Sequence, residues 1–167
     1  MIYKTNSPYD LVKLAMFLTI ALILNFIETF IPIPFPFLGA KLGLTNIVTV
    51  MGLSIFGFWG TALLVISRIC ITSFLFGNFS SMIYSLAGGI LSCIVMALLY
   101  KTKSSIVFIS VIGGITHNLG QLLVVCLVME NWSLGLYYLP YLLVLGSICG
   151  FLIGQLSNLL LFHLKKL

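Results

Sequence analysis

Residues Gly60–Phe76 read GTALLVISRICITSFLF. The run is long and apolar enough to cross a bilayer as a helix, yet it carries Arg68 in its middle. A guanidinium at mid-bilayer depth costs about 3 kcal/mol on insertion scales. Such a group faces a protein interior or a wet cavity, with a partner. Arg68 therefore marks the inside of the molecule.

The rest of the chain agrees with a membrane setting. Of 167 residues, 61% are hydrophobic and 7% charged, where an average soluble domain has about 25% charged residues. A soluble fold has no way to cover that much apolar surface. A transmembrane barrel would alternate apolar and polar residues, but runs such as Leu14–Ile27 and Ile106–Ile112 are continuous. At about 20 residues per span, the pattern predicts an all-α membrane protein, one integral domain over 1–167 with six transmembrane helices. Their bounds are about 10–31, 43–57, 59–76, 81–100, 105–129 and 134–163. The Pro32–Pro36 run ends the first, and that segment reads as a retained helix rather than a cleaved signal.

The net charge of +5 reads as topology. Six spans put Lys4, Lys13, Lys101, Lys103, Lys165 and Lys166 on one side and Lys41 on the other. This asymmetry predicts cytoplasmic termini, with the 32–42 loop outside; the expected location is a bacterial cell membrane. Gly146, Gly150 and Gly154 share one helix face and admit a close helix neighbour, within the chain or from a partner. Ser85, Gly89 and Cys93 make a similar small-residue face. The four cysteines form no CxxC pair and read as small buried residues, so no metal or cofactor is expected.

On this topology the polar residues of four helices converge on the outer half of the membrane. They are Asn25 and Glu28; Thr45, Asn46 and Thr49; Arg68 and Thr72; and Thr116, His117, Asn118 and Gln121. Lys41 and Asn78 fall at the mouth, with Phe35, Phe37 and Tyr84 as lid or pocket aromatics. Unpartnered polar groups are costly in hydrocarbon, so these either satisfy one another or line a pocket. His117 and Gln121 stand at i,i+4, and Asn118 and Gln121 at i,i+3, which favours a common face. Arg68 either bridges to Glu28 or meets a carboxylate, phosphate or carbonyl on a ligand. The substrate-binding candidates are Glu28, Lys41, Asn46, Arg68, His117, Asn118 and Gln121.

Catalytic signatures are missing. Asp10 is the single aspartate, so no aspartate pair holds magnesium on a diphosphate. Walker, HExxH and GxSxG patterns are absent. The chain is expected not to be an enzyme.

Three blocks carry a resemblance: PIPFPFLGAKLGLTNIVTV at Pro32–Val50, LFGNFSSMIYSLAGGILS at Leu75–Ser92 and GGITHNLGQLLV at Gly113–Val124. Together they resemble the Gx transporter family, also labelled heptaprenyl diphosphate synthase component I, over roughly residues 10–160. That family is similar to the S components of energy-coupling factor (ECF) transporters. The resemblance implies a six-helix bundle that captures a vitamin-like or isoprenoid or quinone-related small molecule from outside. It also implies a lid over the pocket from the 32–42 loop, and partners in a transmembrane coupling subunit and two ATPases. Ala15 and Thr19 fall where such proteins dock on the coupling subunit. The synthase label implies another role, as the non-catalytic membrane partner of a prenyl diphosphate synthase. An autonomous proton-coupled transporter using Glu28 and His117 is a third.

Overall fold

The computed structural model describes residues 8–30, 43–77 and 79–164. The apolar runs are helices: α1 (Pro8–Thr29), α2 (Asn46–Ile55), α3 (Gly57–Phe76), α4 (Phe79–Lys101), α5 (Ile106–Val128) and α6 (Trp132–Leu164). No strand occurs among the described residues. Five of the six helices are long and apolar enough to cross a membrane, and the chain is a multi-pass membrane protein. Its outward side chains suit lipid rather than water, with Phe74 93% and Leu136 74% exposed.

The exception is α2. Its 10 residues rise about 15 Å, half of a hydrocarbon core about 30 Å thick. The sequence predicts a helix over 43–57; the structure begins it at Asn46 and ends it at Ile55. Gly43 and Gly57, at φ +75° and +68°, bracket it in the left-handed conformation that glycine adopts without strain. Its C-terminal end adjoins the start of the membrane-length α3, so its N-terminal end falls near mid-depth, where only protein or a wet cavity can satisfy it. At the N-terminal end Asn46 N–H donates to the Gly43 carbonyl (2.7 Å), Ile47 N–H to Leu44 (3.2 Å) and Val48 N–H to Thr45 (3.1 Å). At the other end Phe56 N–H donates to Gly52 (2.7 Å).

Because α2 is a core helix, Ile47 to Leu53 are all buried, and α2 contacts each of the other five helices. Three apolar clusters surround it. Val50 and Leu53 pack with Met96 and Ile109, Val48 with Ala21, Phe56 and Leu64, and Ile47 and Met51 with Ile153 and Leu161. One side of the bundle's interior is thereby dry, and the polar groups collect beyond the N-terminal end of α2.

The glycine stripe of α6 packs within the chain. A Cβ at Gly146 would lie 3.1 Å from the Gly114 carbonyl, one at Gly150 2.7 Å from Val111 Cα, and one at Gly154 2.7 Å from Val107 Cα. The partner numbers fall as the α6 numbers rise, so α5 and α6 run antiparallel with backbones nearly touching. Gly120 of α5 meets Gly88 of α4 equally closely, at 2.8 Å from Gly88 Cα. Lipid offers no hydrophobic drive to join helices, so this close van der Waals packing holds the α4–α5–α6 layer together. In contrast, α1 is peripheral and rests on α3 and α2.

Candidate functional site

The half-length of α2 leaves space above its N-terminal end, and the surrounding helices line it as a cavity of about 330 Å³. Such a volume lies at the small end of the range for ligand sites, about 300–1,000 Å³. Glu28 and Asn25 enter from α1, Thr45, Asn46 and Thr49 from the start of α2, and Arg68, Thr72 and Ser73 from α3. His117, Asn118 and Gln121 enter from α5. The sequence-predicted Glu28, Asn46, Arg68, His117, Asn118 and Gln121 thus come together. Lys41, Asn78, Phe35 and Phe37 lie outside the described residues.

Arg68 is 8% exposed. Its Nη1 donates to Thr45 Oγ1; Thr45, at the N-cap position of α2 with helical φ and ψ of −64° and −15°, makes no side-chain cap bond. The Glu28 carboxylate also attracts the Arg68 charge, and its Oε1 accepts the Gly43 N–H at 2.5 Å. The sequence names Glu28 as a partner for Arg68; in the fold Arg68 donates a hydrogen bond to Thr45, and Glu28 adds charge attraction while pinning the turn before α2. Arg68 Nε and Asn46 Nδ2 are buried and have no acceptor among the described residues.

On the α5 side the packing is close. A Cβ at Gly88 would lie 2.5 Å from the His117 carbonyl oxygen and 2.9 Å from Gln121 Cγ, so glycine there lets α4 seat against this face. Asn118 Nδ2 donates to the Leu142 carbonyl at 3.0 Å, beside the space that Gly146 leaves open. Asn118 therefore both lines the cavity and ties α5 to α6.

Several expectations need correction. The sequence assigns the pocket to helices 1, 2, 3 and 5, but α4 contributes Ser81, Ser85, Gly89 and Ser92, and α6 contributes Leu145, Gly146, Cys149, Gly150 and Ile153. Ser85, Gly89 and Ser92 follow i, i+4, i+7 spacing, which brings them to one face; that spacing was the available signal, and it reads equally as packing. Thr116 does not line the cavity and instead donates to the Ile112 carbonyl of its own helix at 2.8 Å. Tyr84 is half-buried and lies outside the lining. Ala15 and Thr19 are exposed on α1, with Thr19 Oγ1 donating to the Ala15 carbonyl at 2.9 Å. Among the described residues no three His, Cys, Asp or Glu side chains gather as a metal site.

Comparison with known proteins gives one finding. The family model described as heptaprenyl diphosphate synthase component I matches residues 17–160. Searches of curated proteins and of solved structures return no match. The matched region spans α1 beyond its first turns through most of α6 and includes every described residue of the cavity, and the chain accordingly belongs to the heptaprenyl diphosphate synthase component I family.

Proposed function

We propose that this chain is the small-molecule-binding subunit of a membrane uptake system, similar to an ECF S component. One observation carries the reading: a cavity lined by a guanidinium, a carboxylate, an imidazole and four side-chain amides from several helices, with buried donors on Arg68 and Asn46 that lack acceptors among the described residues. A purely structural polar cluster would close on itself, because an unmet buried donor costs about 1–3 kcal/mol, and more when charged. A solute or water that enters the cavity supplies the missing acceptors.

In this proposal the termini are cytoplasmic, six segments sit in a bacterial cell membrane, and the cavity opens outward. No bond of the solute is made or broken. Ala15 and Thr19, exposed on the peripheral α1, meet a transmembrane coupling subunit, whose two ATPases drive release inward. The test is affinity purification of the intact protein from its native membrane after cross-linking. A coupling subunit and ATPases in the eluate support the proposal; their absence, together with a soluble prenyltransferase, overturns it in favour of the second reading.

That second reading is favoured by the family description. It makes the chain the non-catalytic membrane partner of a prenyl diphosphate synthase, held through the exposed Lys101–Lys103 turn and the termini.

A further inference from the structure

Resting on the reading of the cavity as a solute site, we propose that it contains an oxyanion subsite. Arg68 and Asn46 build it at the N-terminal end of α2, and it takes a carboxylate or phosphate group of the solute. Depth supports the placement. The α2 helix rises about 15 Å from its turn with α3, and Arg68 lies about 16 Å along α3 from the same turn, so the two meet at one level. The Arg68–Thr45 hydrogen bond joins them there.

The N-terminal end of a helix carries roughly half a positive charge, and here it faces a cavity walled by the surrounding helices. Its first N–H groups are already bonded to the carbonyls of Gly43, Leu44 and Thr45. The helix end therefore supplies field, and side chains supply the direct bonds. Those donors are Arg68 Nε and Asn46 Nδ2, both buried and without an acceptor among the described residues. With Nη1 committed to Thr45, the guanidinium keeps its Nε edge, the edge that binds two oxygens of a carboxylate or phosphate side by side. A neutral carbonyl would satisfy one donor but gains little from a guanidinium and a helix end acting together, which select full negative charge.

Glu28 sharpens the idea. Its carboxylate attracts the Arg68 charge and accepts the Gly43 N–H, so it is a resident anion with which an incoming oxyanion competes. Toward α4 and α5 the lining changes to Ser85, His117 and Gln121. The solute is thus two-ended, with an oxyanion held at α2 and α3 and a polar, hydrogen-bonding body toward α4 and α5.

The experiment uses the full chain in detergent, with benzoate, phenyl phosphate and benzamide as probes in ligand-observed NMR. Benzoate and phenyl phosphate are expected to bind at least tenfold more tightly than benzamide, a difference of about 1.4 kcal/mol. Asn46→Ala should weaken benzoate more than benzamide and so shrink the preference for charge, and Glu28→Gln should tighten benzoate. Arg68→Gln should abolish the preference for charge; if that variant does not fold, the Asn46 and Glu28 variants decide alone. Equal binding of benzoate and benzamide overturns the subsite. A lipid source is separated by adding phosphatidylglycerol: displacement of phenyl phosphate identifies a lipid headgroup, and undisturbed binding a soluble solute. Retention of an uncharged molecule by the purified protein, with no preference for benzoate, overturns the oxyanion subsite while the solute-binding reading stands. A protein that retains nothing and binds no probe overturns both.

Discussion

Replacing Gly150 by alanine tests whether backbone contact between α5 and α6 holds the cavity's shape. The added Cβ would stand 2.7 Å from Val111 Cα and 2.8 Å from the Ser110 carbonyl oxygen. Favourable contact between such atoms lies at about 3.5–4.0 Å, so the helices must part by roughly 0.8 Å. Both opposing atoms are backbone, and no rotamer change relieves them. A gap of that size forfeits about a quarter to a half of each contact it opens, and overpacking of this kind costs about 1–3 kcal/mol. We expect Gly150→Ala to lose about 2 kcal/mol in reversible unfolding by SDS titration in mixed micelles, followed by Trp59 and Trp132 fluorescence. Gly146→Ala relaxes through the same separation, so the double variant should fall short of the summed losses by at least about 0.5 kcal/mol. The lipid-facing control Ile148→Ala, at an exposed position, should stay within about 0.5 kcal/mol. A Gly150→Ala protein as stable as that control, or strict additivity with Gly146→Ala, refutes the reasoning.

Other outcomes follow from the same geometry. Arg68→Leu removes the bond to Thr45 and the charge attraction to Glu28 and should cost about 1.5–3 kcal/mol in the same titration, the range for a hydrogen bond to a charged group. Asn118→Ala removes the bond to the Leu142 carbonyl and should cost about 0.6–1.7 kcal/mol, the range for hydrogen bonds between membrane helices. Of the four cysteines only Cys149 lines the cavity. In a variant keeping Cys149 alone, a small water-soluble thiol reagent should therefore react with it, and benzoate should slow that reaction.

Much of the helix pattern was legible because continuous apolar runs leave a helix few alternatives in lipid. The half-length of α2 was not. Ile47 to Phe56 is mostly apolar, and hydropathy cannot tell a helix buried among five others from one that crosses the bilayer. The left-handed Gly43 and Gly57 mark its limits, but glycines occur throughout the chain. Arg68 pointed inward on cost alone, and the polar residues of α1, α2, α3 and α5 were found by rarity. Ser85 and Ser92 were passed over because a hydroxyl among glycines serves close packing as readily as a cavity wall. Gly146 and Gly150 do both, touching α5 and lining the cavity. The partnership of Thr45 with Arg68 depended on where α2 begins, which local sequence did not reveal.

In the proposed function the cavity beyond α2 holds a small molecule through Arg68 and its neighbours. Native mass spectrometry of the protein purified gently from its own membrane tests this most directly. We expect a discrete small molecule bound at one copy per chain, retained by the lipid-facing control Ile148→Ala and lost from a folded Asn46→Ala, Arg68→Gln double variant. A protein that carries no small molecule, or one that the double variant retains equally well, would contradict it.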